Sequence, residues 1–180
     1  MFGATRPHNF RESLEFSHAA ADLPMWGEIY KAAFPDMVAM IDQRHDGWHQ
    51  RAGIDRQIVL KSTKVISVDE KVRAKDYGDF ALEFLSDERR KTPGWVCKSL
   101  IADYIAYAVI PIGKCFLLPV LQLQSAWRKY AGIWTKKYKC RKAVNEDWVT
   151  WFCCVPYDTV YSAISDCCCV NFQTQNKFDF

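Results

Sequence analysis

The sequence predicts a mixed α/β (α+β) domain, with a central mixed sheet flanked by helices. Three observations carry that expectation. Apolar residues recur at helical spacing over 25–33, alternate with polar ones between about 53 and 85, and return to helical spacing after 95. The 180 residues suffice for one ordinary core, so 1–180 is expected to be a single domain. Pro and Gly together number 15, and no apolar run approaches a membrane-spanning length, so no membrane partner is expected.

The elements follow in order. The first twenty or so residues are polar and read as irregular at their start. Asp22-Leu23-Pro24 resembles a helix opening, because proline is tolerated in a first turn. Met25, Trp26, Ile29, Tyr30 and Ala33 would form that helix's apolar face, with Pro35 ending it. A second short helix is expected from Asp36 to Asp42, then a polar loop over 43–52. Gly53 to Leu60 reads as a strand, Lys61 to Lys64 as a turn, Val65 to Arg73 as a second strand and Phe80 to Leu85 as a third. From Trp95 to Val109 the spacing predicts a helix that Pro111 and Gly113 stop. Phe116 to Val120 reads as a strand and 121–131 as a helix. A C-terminal strand and short helix are expected within 146–166.

The strands carry the most suggestive chemistry. Side chains two apart on a strand share a face, so Asp69 and Lys71 point one way while Ile66, Val68, Glu70 and Val72 point the other. In the preceding strand Asp55 leaves the face of Ile54, Ile58 and Leu60. Two carboxylates and an ammonium would thus meet on one side of a hairpin. Hard oxygen donors of this kind suit Mg²⁺, which keeps several waters and can activate one of them toward a phosphate. Lys71 would orient that water and stabilise developing charge. A two- or four-residue turn centred between Ser62 and Thr63 sets Asp55 opposite Glu70, whereas an odd-length loop or a bulge sets it opposite Asp69. Asp69 is the preferred ligand on the apolar pattern and Glu70 the fallback. Glu83 leaves the apolar face of the third strand, where it would support Lys71 or Arg73.

Net charge is only +3, yet it is unevenly spread. Residues 127–142 hold seven Arg or Lys and no acid, interleaved with Trp127, Tyr130, Trp134 and Tyr138. Such a stretch is suited to phosphate and base contacts, which makes DNA the expected partner.

These residues resemble the PD-(D/E)xK, or restriction-endonuclease-like, nuclease superfamily, and small phage or prophage members in particular. Gly53-Ile54-Asp55-Arg56 stands where the first acid is expected, without the preceding proline, and Asp69-Glu70-Lys71 supplies the D-x-K. The resemblance spans about 24–130. It implies the core order αβββαβ, with the first acid on the second core strand or at its start and the D-x-K on the third. An acid from the first helix often joins such sites, and Glu28 matches it. The implied function is Mg²⁺-dependent hydrolysis of DNA phosphodiester bonds, with Mn²⁺ as a substitute. Metal ligands would be Asp55, Asp69 and Glu28, and the phosphate contacts Arg73, Arg128, Lys129, Lys136, Lys137, Lys139, Arg141 and Lys142. A homodimer is compatible with the resemblance. The rival is a catalytically silent DNA-binding or replication-associated protein on the same fold.

Eight cysteines remain, none of them in the first 96 residues and five in adjacent runs. That clustering argues against a disulfide framework, and the lack of a CxxC pair argues against zinc. Reduced, structural thiols and a cytoplasmic location, that of a bacterial host for a phage protein, are the expectation.

Overall fold

Period-two alternation builds most of this structure. The computed structural model describes residues 19, 22–145 and 147–173, so the polar opening segment lies outside the described residues. Helix α1 (Met25–Ala33) leads into β1 (Met37–Asp42), the short helix α2 (Gly47–Ala52), β2 (Arg56–Leu60) and β3 (Val65–Arg73). The hairpin of β4 (Asp79–Asp87) and β5 (Thr92–Pro93) follows, then β6 (Tyr104–Val109) and β7 (Lys114–Pro119). The long helix α3 (Val120–Lys137), β8 (Cys140–Val144), β9 (Val149–Pro156), α4 (Tyr157–Tyr161) and β10 (Cys168–Asn171) complete the order.

Two sheets result, one with the order β1-β2-β3-β6-β7-β10 and one with the order β5-β4-β9-β8. The larger is mixed, since β3 and β6 run parallel while its other neighbours are antiparallel. Helix α1 covers one face, where Trp26, Ile29 and Tyr30 pack on Ile58, Ile66, Val68, Ala106 and Leu117. The opposite face buries Ile105, Tyr107, Phe116 and Leu118 against Leu123, Trp127 and Trp134 of α3. Phe80, Leu82, Cys153 and Val155 bring the inner side of the smaller sheet into that same core.

Three expectations are corrected. Asp36 to Asp42 contributes a strand, not a helix. Met37 to Ile41 are consecutive apolar residues with no helical stripe, and pairing with β2 satisfies their backbone groups. The helix expected over Trp95 to Val109 is replaced by a loop and then β6. As a central strand buried on both faces, β6 needs apolar residues at every position, and such a run does not distinguish strand from helix by period. The order αβββαβ is therefore not the one observed. The β4–β5 excursion, not a helix, links the parallel strands β3 and β6, and α3 follows β7. The strand expected at 80–85 exists as β4 but belongs to the smaller sheet.

The β2–β3 turn sets the register. Leu60 N–H donates to the Lys64 carbonyl (2.9 Å) and Thr63 N–H to the Leu60 carbonyl (2.9 Å), so the loop is the odd-numbered Lys61-Ser62-Thr63. Ile58 then faces Ile66, and Arg56 faces Val68 at the end of the ladder. Thr63 closes the turn at φ 64, a left-handed conformation that strains a β-branched residue. Thr63→Gly should therefore stabilise the protein by about 1 kcal/mol in urea denaturation, with no change in m value.

Candidate active site

Alternation along β3 sorts its charged side chains between two environments. Asp69 and Lys71 lie on the face toward the smaller sheet, and Glu70 lies on the face under α1. Past the last ladder pair, Arg56 and Val68, the next residues outward are Asp55 and Asp69. Asp55 N–H donates to the Val68 carbonyl (2.8 Å), and its carboxylate accepts the Glu70 N–H (2.7 Å). A side chain thus makes the bond that the next backbone carbonyl of a continuing strand would make.

Register makes Asp55 and Asp69 cross-strand neighbours on one face. Burial, reinforced by the neighbouring Asp69 charge, raises the Asp55 pKa above its ordinary value, with Lys71 opposing. Asp69 is 5% exposed, and its carboxylate pairs with the Lys71 ammonium. Lys71 Nζ also donates to the Glu70 carbonyl at 3.3 Å. Burial acts to lower the Lys71 pKa, but attraction to Asp69 and Asp55 outweighs it and the net shift is upward. Lys71 is therefore a cation at neutral pH and a donor, not a base.

Glu83 comes to the same place from β4. Burial raises its pKa, while the charges of Lys71 and Lys98 and the backbone N–H of Trp95 oppose that rise. The chain at Gly94 makes this possible. Gly94 N–H donates to the Phe84 carbonyl (3.0 Å) and Val96 N–H to the Glu83 carbonyl (3.1 Å). Any Cβ at position 94 would run into the Glu83 backbone.

Glu70 has a different task. Its Oε1 accepts from Tyr30 Oη (2.8 Å) and Arg56 Nε (2.6 Å), and its side chain is only 4% exposed. Burial pushes its pKa up to about 7, against the opposing effect of Arg56. The alternation that buries Glu70 excludes it from the Asp55–Asp69 group. Glu28 is not brought there either. It is an exposed residue of α1, and α1 covers the opposite face of the sheet.

The basic residues divide in the same way. Arg73 follows Lys71 on the same face. Register places Lys139 and Arg141 beside Cys154 and Phe152 on the outer side of the smaller sheet, whereas Lys142 alternates to the other side. Arg128, Lys129, Lys136 and Lys137 are exposed along α3. The aromatics between them do not face outward with them. Trp127 and Trp134 are buried, and Tyr130 stacks on Trp134 with centroids 5.5 Å apart.

Lys98, the Trp95 N–H and the Tyr30–Arg56 anchor were not anticipated. The first two lie in the segment read as helical, and a tyrosine on an apolar helix face carries no sign of a distant carboxylate partner. The cysteines are free thiols, and among the described residues no helix is long and apolar enough to cross a membrane.

The donor set suits a hard divalent cation. Two adjacent carboxylates repel one another, and a cation between them would relieve that repulsion. Among the described residues no group of three or more His, Cys, Asp or Glu side chains is spaced to hold an ion, so water would supply the remaining ligands. Comparison with known proteins adds no assignment: no family model, curated protein or solved structure matches the chain.

Two outcomes test this electrostatic reading. The folded pKa of Glu70 lies above its ordinary 4.5, so its contribution is full below that value and lost as pH rises through about 7. Between pH 4.5 and 7 the wild type should lose about 3 kcal/mol relative to Glu70→Gln, measured by denaturation at each pH. Asp55 is raised in the same direction, so at pH 8 its ionised form opposes folding. Asp55→Asn should raise the melting temperature in chelator and abolish any further rise on adding Ca²⁺.

Proposed function

We propose that this protein hydrolyses phosphodiester bonds in DNA, using Mg²⁺, or Mn²⁺ in its place, held by Asp55 and Asp69. One observation carries the reading: two carboxylates set opposite each other past the end of a hairpin ladder, one of them paired with a half-buried lysine. The D-x-K resemblance supports it. Asp55 stands at the start of β2 and Asp69-Glu70-Lys71 lies on β3, a placement compatible with the resemblance although the superfamily's strand order is not reproduced. The β4–β5 excursion in place of a helix departs from its pattern.

A divalent cation bound here would polarise a phosphoryl oxygen and lower the pKa of a coordinated water. Asp55 and Asp69 bind and orient, the first held by the Glu70 N–H and the second by Lys71. Lys71, kept protonated, donates toward the phosphate oxygen on which charge builds as water adds and the ester P–O bond breaks. Asp69 pairs with its ammonium, and the Glu83 charge lies nearby. Arg73, Lys139 and Arg141 lie on the adjoining surface and fit the flanking backbone, whereas Glu28 has no part in the scheme.

Linear, circular and single-stranded DNA with Mg²⁺ or Mn²⁺ provide the test. The wild type should cleave at least one of them. Asp69→Asn and Lys71→Ala should each lose about 100-fold or more in rate while melting cooperatively. Equal cleavage by wild type and Asp69→Asn would assign the activity to a contaminant. DNA binding without cleavage under any metal would instead identify a silent relative.

A further inference from the structure

The face that carries Asp69 and Lys71 continues into a cleft. A cavity of about 320 Å³ opens between the end of β3 and the outer side of the smaller sheet, lined by Arg73, Tyr77, Asp79, Arg141 and Phe152 together with Ala81 and Cys154. Arg73 stands one strand repeat beyond Lys71, roughly 7 Å along the chain, comparable to the separation of neighbouring phosphates in an extended strand. Its guanidinium is held on several sides. Nη1 donates to Tyr107 Oη at 2.8 Å, Nη2 lies 3.7 Å from the Asp79 carboxylate, and the group sits over the Tyr77 ring at 5.1 Å. Arg141 enters from β8 and is exposed, as is 57% of Tyr77. Asp79 Oδ1 is buried and makes no hydrogen bond among the described residues.

The lining matches the parts of a nucleotide. Two guanidinium groups suit a phosphate, and the rings of Tyr77 and Phe152 offer surfaces to a base. The Asp79 oxygen is occluded and lies 3.7 Å from Arg73 Nη2, so it serves to hold that guanidinium at the cleft. A base within a duplex has its faces stacked, so only an unstacked one can lie against these rings. We propose that this cleft binds a nucleotide of a DNA single strand, next to the phosphodiester that the carboxylate pair would cleave. The substrate class is then DNA with an unpaired stretch. Its place beside the reaction rests on the nuclease reading, but the binding itself does not.

Fluorescence anisotropy with Ca²⁺ in place of Mg²⁺ tests the two separately, using a labelled single strand and a blunt duplex of equal length. The single strand should bind about tenfold tighter or more, and Tyr77→Ala and Arg141→Gln should each weaken it about tenfold with unchanged circular dichroism. Equal binding of the two DNAs, or undiminished binding by both cleft variants, overturns the proposal. A free mononucleotide that competes as well as the strand also overturns it, by making the cleft a site for free nucleotides. Single-strand binding without cleavage in Mg²⁺ or Mn²⁺ sustains the cleft and removes the nuclease reading. Cleavage confined to duplex does the reverse.

Discussion

The odd number of residues in the β2–β3 turn is the constraint on which the rest of this structure depends. With Lys61, Ser62 and Thr63 in the loop, Ile58 meets Ile66 beneath α1, and Asp55 and Asp69 become neighbours past the last ladder pair. One residue more or fewer would turn one strand's faces over relative to the other. In the strand turned over, the apolar side chains would then face the site and the carboxylate would face α1. The left-handed Thr63 is the local cost of that register.

Charge is buried on both sides of β3 at almost the same point, and the two burials support one another. On one side the Glu70 carboxylate is tied to Tyr30 and Arg56, which fastens the strand to α1 and β2. On the other side the Glu70 backbone N–H holds Asp55. A single residue thus positions the site through its main chain while its side chain serves as an anchor. Such an arrangement opposes stability at neutral pH, because Asp55 and Glu70 both have raised pKa values. Conflicts of this kind, in which local stability yields to geometry, are expected where a surface is built to bind something.

The smaller sheet acts as a wall. Its inner side completes the hydrophobic core, and its outer side brings Glu83 to Lys71 and Arg141 toward Arg73. The basic stretch therefore does not act as one unit. Strand alternation puts Lys139 and Arg141 on the outer side of the smaller sheet, where Arg141 lines the cleft, and helical periodicity spreads Arg128, Lys129, Lys136 and Lys137 along α3 while its tryptophans go inward.

Much of the hairpin was legible in the sequence, because a strand's side-chain period is local. The separation of Asp55, Asp69 and Lys71 from Ile58, Ile66 and Val68 could be read from the order of letters, and so could the opposite orientation of Glu70. The identity of β6 could not, because a strand buried on both faces has lost the alternation that marks it. Nor could the placement of Glu28, since a helix's apolar stripe does not say which face of a sheet it will cover. By itself, then, the sequence determined which residues share a face. Only the tertiary structure decided which faces meet: α1 beneath Glu70, and the smaller sheet beside Lys71 and Arg73. The physical reason is range. Alternation is imposed by the geometry of neighbouring residues, whereas the packing of sheets and helices is settled by the burial of apolar surface between segments far apart in the chain.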